Sequence, residues 1–136
     1  VQAYQKRAST VLNWLTTLAN EQQRGLMIRL VKGAYWDTEL KLAQVAGLSG
    51  YPVFTRKACT DLNYLACAKQ LLEASPLIYP QFATHNAQTV ASIMAMAQEL
   101  GVSDYEFQCL HGMGAPLYDE IVTHESRPCR VYAPVG

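Results

Sequence analysis

The stretch that decides the fold runs from Leu26 to Asp37 and reads Leu-Met-Ile-Arg-Leu-Val-Lys-Gly-Ala-Tyr-Trp-Asp. Its first half is a short run of apolar residues interrupted by one arginine, which is typical of a strand buried in a sheet. Its second half is polar and contains a glycine, as expected where a strand ends in a turn. A weak helical pattern follows at Leu40, Leu42 and Ala43. The stretch therefore predicts a strand followed by a helix.

The same order of strand and helix recurs along the chain. Apolar or β-branched runs begin about 26 residues apart, at residues 1–4, 26–31, 53–55, 78–83, 105–110 and 130–133. Helical patterns fill the gaps, and a fifth, short helix is expected after Pro116. For the third helix Thr60 or Asp61 is the expected N-cap, and the fourth is expected to begin at Asn86 and end at Gly101.

This alternation predicts parallel strands joined by helical crossovers. Equal spacing favours a closed barrel over an open sheet, so the fold class is α/β, a (β/α)8 TIM-like barrel. Such a barrel needs eight units and about 250 residues. We count six strands in 136 residues, and the chain begins at Val1 without a methionine. We therefore expect an incomplete piece of a barrel.

Composition narrows the function classes. Half of the residues are hydrophobic and the formal net charge is zero, so no basic stripe points to nucleic acid. No run approaches the roughly 20 apolar residues of a membrane span. The four cysteines are scattered within apolar segments, which favours reduced thiols in a cytoplasmic protein over zinc ligands or disulfides.

Candidate functional residues collect where the predicted strands end, since barrels of this type place their sites there. Each also has a structural explanation. Arg29 lies inside an apolar run, where a buried cation needs a partner, so an ion pair explains it as well as catalysis does. Gly33 supplies either a backbone shape or room for a ligand. His85 is either a neighbour of a helix cap or a ligand-binding residue.

Several blocks together resemble the proline dehydrogenase domain of the bifunctional proline utilisation A flavoenzymes. They cover essentially the whole chain and lie at residues 29–37, 51–57, 79–86, 105–114 and 132–136. The resemblance implies FAD-dependent oxidation of L-proline to 1-pyrroline-5-carboxylate, with a hydride passing to N5 of the flavin. It further implies a quinone acceptor at the membrane, a fused pyrroline-carboxylate dehydrogenase domain and a cytoplasmic protein with peripheral membrane association. Residues 1–136 would then be one partial FAD-binding barrel that lacks the early strands and the last helix of the family.

The resemblance also implies roles for single residues. Arg29 would be the catalytic residue, a donor beside flavin N5 that stabilises charge on the reduced ring. The residues expected to bind FAD are Gln2, Arg29, Val31, Lys32, Gly33, Thr84 and His85. Leu110 and Tyr132 would form the walls around the proline ring. Further candidates for the cofactor wall are Tyr35, Trp36, Thr55, Lys57, Asn86 and Gln108. No metal is implied.

Three other hypotheses stay open on the sequence alone. Lys32 at a strand end could be the nucleophile of a Schiff-base barrel aldolase, if it is desolvated. A metal-dependent hydrolase could use His85, Cys109 and His111, although no carboxylate joins them at a matching position. The piece could also be a non-catalytic truncated remnant with unpaired strand edges.

Overall fold

The computed structural model describes residues 1–135, so Gly136, the last residue of the segment 132–136, lies outside the described residues. The helices are α1 (Ala8–Glu21), α2 (Trp36–Val45), α3 (Lys57–Glu73), α4 (Ala87–Leu100) and α5 (Ala115–His124). The strands are β1 (Leu26–Leu30), β2 (Ile78–Ala83), β3 (Glu106–Leu110) and β4 (Cys129–Tyr132). Two helices, α2 and α3, lie in the connection between β1 and β2.

The four strands form one parallel sheet in the order β1-β2-β3-β4. Each neighbouring pair in the sheet is also consecutive along the chain, and helices occupy every connection. This arrangement confirms the predicted α/β class with parallel strands. All the strands end at one edge of the sheet, because parallel strands share a direction.

The two faces of the sheet differ in chemistry. On one face Ile28, Leu30, Phe82 and Phe107 are buried, and α3 packs over β1 and β2. Burying a side chain of this size contributes about 1.5–3 kcal/mol. The opposite face carries polar residues in register, with Arg29 paired to Gln81 and Gln81 paired to Glu106. Strand residues alternate between faces, so this polar surface follows directly from the alternating sequence.

Two of the six predicted strands are wrong. Residues 1–4 make only one isolated parallel bridge, Gln2 to Val31, and residues 53–55 make only an antiparallel bridge from Val53 to Gln5. The two segments contact each other beside the sheet, where Phe54 N donates to Tyr4 O over 2.8 Å and, next to them, Lys6 N donates to Pro52 O over 2.9 Å. Pro52 has no N–H for a ladder, which keeps this contact short. The 26-residue spacing therefore does not correspond to a repeat of strands.

The helices agree better with the sequence pattern. Asn86 caps α4 by accepting a hydrogen bond from Thr89 N over 2.9 Å, and Gly101 ends it with a φ of +68°. α3 begins earlier than expected, at Lys57, so neither Thr60 nor Asp61 is its cap. Among the described residues, no helix combines the length and the apolar character that crossing a membrane requires.

Candidate functional site

A cleft of about 820 Å³ lies at the ends of β1 and β2. The residues that line it include Gln2, Arg29, Val31, Lys32, Gly33, Tyr35, Lys57, Thr84, His85, Asn86 and Tyr132. A smaller cleft of about 370 Å³ adjoins it, since Lys32, Gly33 and Lys57 line both, and Trp36 and Thr55 line only the smaller one. The site therefore sits where a parallel barrel would place it.

Arg29 is exposed on the polar face and is not buried among apolar neighbours, which corrects the expectation from the sequence. Its guanidinium carbon lies 4.3 Å from the centre of the Tyr132 ring. A cation held over an aromatic face at this distance is attracted by the electron-rich ring. Within residues 1–135, none of the ion pairs involves Arg29. The explanation of Arg29 as half of an ion pair therefore has no support.

Two lysines share one carboxylate at the junction of the clefts. Lys32 Nζ lies 2.7 Å from Asp61 Oδ1, and Lys57 Nζ lies 2.8 Å from Asp61 Oδ2. The hydrogen bonds from Lys32 and then Lys57 lower the pKa of Asp61 below its ordinary value. Lys32 is thus held as the cation of an ion pair, whereas a Schiff-base lysine must be desolvated and neutral. This geometry argues against the aldolase hypothesis.

Gly33 lies directly against the ring of Tyr4. Its φ is +139°, and a Cβ built on it would approach Tyr4 Cγ to 2.6 Å. Tyr4 is itself buried, with 3% of its surface exposed. A side chain at residue 33 would therefore need both an unfavourable backbone conformation and a displaced ring. The structural explanation of Gly33 holds whether or not a ligand approaches its backbone.

Tyrosine hydroxyls from the helices fix the ends of the strands. Tyr64 of α3 donates to Leu30 O over 3.3 Å or to Ala83 O over 3.2 Å, and Tyr118 of α5 donates to Thr84 O. Burial raises the pKa of both tyrosines, so both hydroxyls stay protonated and can act as donors. These contacts hold the carbonyls at the floor of the cleft in place.

The loop after β2 contacts the end of β3 through a side chain. His85 Nε2 accepts a hydrogen bond from Leu110 N over 3.0 Å. Leu110 is also the register partner of Tyr132, so both side chains project from the same face. Leu110 does not line the large cleft and borders a neighbouring depression of about 440 Å³ formed with α5.

A buried carboxylate joins the polar face beneath the cleft. Glu106 Oε1 accepts hydrogen bonds from Gln81 Nε2 over 2.8 Å, Gln108 Nε2 over 2.9 Å and Arg130 Nε over 2.7 Å. Burial alone would raise the pKa of Glu106, but the hydrogen bonds from Arg130, Gln108 and Gln81 outweigh it and lower the pKa. Glu106 therefore stays ionised and ties three strands together.

The residues of the metal hypothesis do not converge. Across residues 1–135, no three His, Cys, Asp or Glu side chains group closely enough to hold a metal ion. His85 already uses Nε2 for Leu110. Cys109 instead approaches Cys129, with 3.6 Å between the two sulfur atoms, and all four cysteines are free thiols.

The sequence profile of the proline dehydrogenase family matches residues 1–136. The chain belongs to the proline dehydrogenase family. It is 60% identical over 142 residues to the bifunctional protein PutA of Klebsiella aerogenes and 59% identical to that of Salmonella typhimurium. Each alignment covers 100% of this chain and only 11% of the relative. The chain thus spans about a tenth of the length of these relatives.

Solved structures of this proline dehydrogenase family agree with the fold. Bradyrhizobium japonicum proline utilization A superposes with a TM-score of 0.94 at 60% identity, covering all of this chain and 14% of that chain. Proline utilization A from Bdellovibrio bacteriovorus, inactivated by N-propargylglycine, gives the same TM-score at 42% identity. These matches confirm the TIM-barrel prediction, since the four-stranded sheet corresponds to part of the barrel in those proteins.

The structure brings most of the predicted site residues together and leaves some apart. Of the expected catalytic, FAD-binding and proline-binding residues, only Leu110 lies outside the large cleft. Gln108 lies outside both clefts and is buried against Glu106. Sequence reasoning missed Glu106, Tyr64 and Tyr118. The alternation of polar and apolar residues from 105 to 110 could have indicated Glu106, but nothing in the sequence points to the two tyrosines.

Proposed function

We propose that the protein oxidises L-proline to 1-pyrroline-5-carboxylate with FAD as the cofactor. The observation that carries this proposal is the exposed Arg29 guanidinium, stacked 4.3 Å from the Tyr132 ring at the cleft of a proline dehydrogenase domain. A positive donor so placed suits charge that develops on a reacting ring system.

The residues present fit part of an FAD site. A bound FAD would supply the acceptor for the hydride that leaves proline. Lys32 and Lys57 bring positive charge to the junction of the clefts, which suits a diphosphate. Val31 and Ala83 line the large cleft with apolar surface, which suits a flavin ring. The residues proposed to hold FAD are Gln2, Arg29, Val31, Lys32, Gly33, Thr84 and His85.

Leu110 and Tyr132 are proposed to bind the proline ring. They lie opposite each other on adjacent strands, with Tyr132 in the large cleft and Leu110 bordering the neighbouring depression, so their side chains can form one wall with an apolar and a polar part where the two spaces meet. Arg29 packs on one face of Tyr132 and thereby fixes the orientation of that ring. The chain's own part in the reaction is then to orient the substrate, to exclude water from its apolar side and to donate hydrogen bonds from Arg29.

The further partners belong to the whole protein. We propose a quinone acceptor reached by peripheral association of a cytoplasmic protein with the membrane. We also propose a fused pyrroline-carboxylate dehydrogenase domain that would receive the product. The support for the fused domain is that the relatives matched over the whole chain are named as bifunctional proteins.

The test uses the full-length protein that contains these residues. Its flavin absorbance should bleach when L-proline is added, and Arg29→Met should slow that reduction by about two orders of magnitude, as expected for losing one preorganised donor. The flavin potential should also become more negative, because the reduced form loses its stabilising cation.

Arg127→Met is the matched control, since Arg127 also lies over an aromatic ring, 5.0 Å from the centre of Tyr105, but away from the cleft. In the Arg127→Met protein, L-proline should reduce the flavin at the wild-type rate. Protein that stays colourless after refolding with FAD and is inert to proline with a dye acceptor would refute the proposal. Borohydride trapping of a substrate on Lys32 would instead support the aldolase.

A further inference from the structure

The end of β3 has a backbone amide without a strand partner. Phe107 N and His111 N both donate to the β4 side, to Pro128 O and Tyr132 O. Amides alternate in direction along a strand, so Leu110 N points to the opposite side, towards β2. β2 ends at Ala83, whose register partner is Gln108, so the strand stops before it reaches Leu110.

The side chain of His85 takes the place of the missing strand. Continuing the register of β2 and β3 by two residues puts residue 85 opposite residue 110, and His85 Nε2 accepts from Leu110 N over 3.0 Å. Nε2 of the ring therefore serves as the acceptor that a strand carbonyl would otherwise supply.

A second contact holds the same ring from another direction. A Cβ built on Gly114 would lie 3.3 Å from His85 Cδ2, so the start of α5 packs closely against the edge of the imidazole. Gly114 has a φ of +69° and precedes the helix directly. His85 is thus fixed between the end of β3 and the start of α5, although it belongs to the loop after β2.

We propose that His85 is a positioning residue that sets the place of Leu110 and so couples the cofactor loop to the proline-binding wall. The inference rests on the proposed function, which places His85 at the cofactor and Leu110 at the substrate. Leu110 pairs with Tyr132 in the sheet, and the Arg29 guanidinium lies over Tyr132. A shift of the Leu110 backbone therefore moves one of the two side chains proposed to contact the proline ring.

Two amide variants separate this role from cofactor binding. In His85→Gln the side-chain oxygen can reach the position of Nε2 and accept from Leu110 N, whereas the shorter side chain of His85→Asn reaches only the level of Nδ1. Both variants lose the imidazole ring, so both lose whatever that ring contributes to FAD. The difference between them isolates the contact with Leu110.

The experiment compares the two variants in the full-length protein. Deuterium exchange of the Leu110 amide, measured without substrate, should be about twofold to tenfold faster in His85→Asn than in His85→Gln, the factor that corresponds to one hydrogen bond. The KM for L-proline should be higher in His85→Asn by a similar factor, with a smaller change in kcat. The reason is that the position of Leu110 affects the binding of proline, whereas the proposed donor Arg29 affects the chemical step.

Equal rates of Leu110 amide exchange in the two variants, whether fast or slow, overturn the inference. Unequal exchange rates combined with equal KM values for L-proline overturn it as well. The exchange measurement needs neither flavin nor turnover. If the wild-type protein binds no flavin and is inert to proline, the proposed function fails, and the exchange comparison still decides whether His85 holds Leu110.

Discussion

Replacing Gly33 by alanine should destabilise the protein through a clash that the structure defines. The new Cβ would lie 2.6 Å from Tyr4 Cγ and 2.7 Å from two other atoms of that buried ring. The φ of +139° costs an L-residue about 1–3 kcal/mol, and forcing a methyl group into a packed site costs about 1–3 kcal/mol more. Gly33→Ala should therefore lower the free energy of unfolding by about 2–6 kcal/mol.

The matched control is Gly101→Ala, because Gly101 also has a positive φ of +68° but no atom lies within 4 Å of the added Cβ. It should cost about 1–2 kcal/mol, the backbone contribution alone. Urea unfolding of the full-length proteins, followed by circular dichroism with flavin content measured in parallel, compares the two. Equal losses in the two variants would show that the Tyr4 ring moves freely and would refute the packing argument. Adding Tyr4→Leu to Gly33→Ala should recover part of the loss.

Two further predictions concern single side chains of the polar face. If Tyr132 contacts proline as proposed, Tyr132→Phe should keep the bound flavin and lower the turnover of proline, because only its hydroxyl is lost; loss of flavin would assign Tyr132 to the cofactor or to structure. Glu106→Gln should cost about 1–2 kcal/mol, since Arg130 loses its carboxylate but is partly exposed. Because the folded pKa of Glu106 is lowered from 4.5, this difference should stay constant between about pH 5 and 8 and shrink as the pH falls below about 4.5. Urea titrations of both proteins across that range would measure it, and a difference independent of pH would contradict the ion pair.

The sequence predicted those strands that alternate strictly between apolar and polar residues or lie within long apolar runs. β1 and β2 were found within one residue of their observed bounds, because their apolar side chains face a helix layer. Residues 53–55 carry the same local signal, yet Val53 is buried in a connection and not in the sheet. A buried valine satisfies the same composition rule in either place, so a pattern of single residues cannot separate the two.

The resemblance named residues that the structure brings to one cleft, whereas contacts across strands could not be predicted from the sequence. The sequence placed Arg29 in an apolar run and suggested burial, but the neighbouring side chains of β1 alternate, and Arg29 emerges on the open face. The bond from Leu110 N to His85 depends on β2 ending two residues before the register partner of Leu110. Strand ends are set by tertiary packing, so no local pattern reveals such a bond.

The two helices between β1 and β2 affect the order in which the sheet can assemble. Leu26 pairs with Ile78, about fifty residues later, whereas Gln81 pairs with Glu106 and Phe107 with Cys129, each only about half as far along the chain. Closing a longer loop costs more chain entropy, and contacts distant in sequence form more slowly. The segment from β2 to β4 is therefore the part that can fold locally. We therefore expect β1, which carries Arg29, to pair with β2 after β2, β3 and β4 have paired, so that the Arg29 guanidinium reaches its place over Tyr132 late in folding.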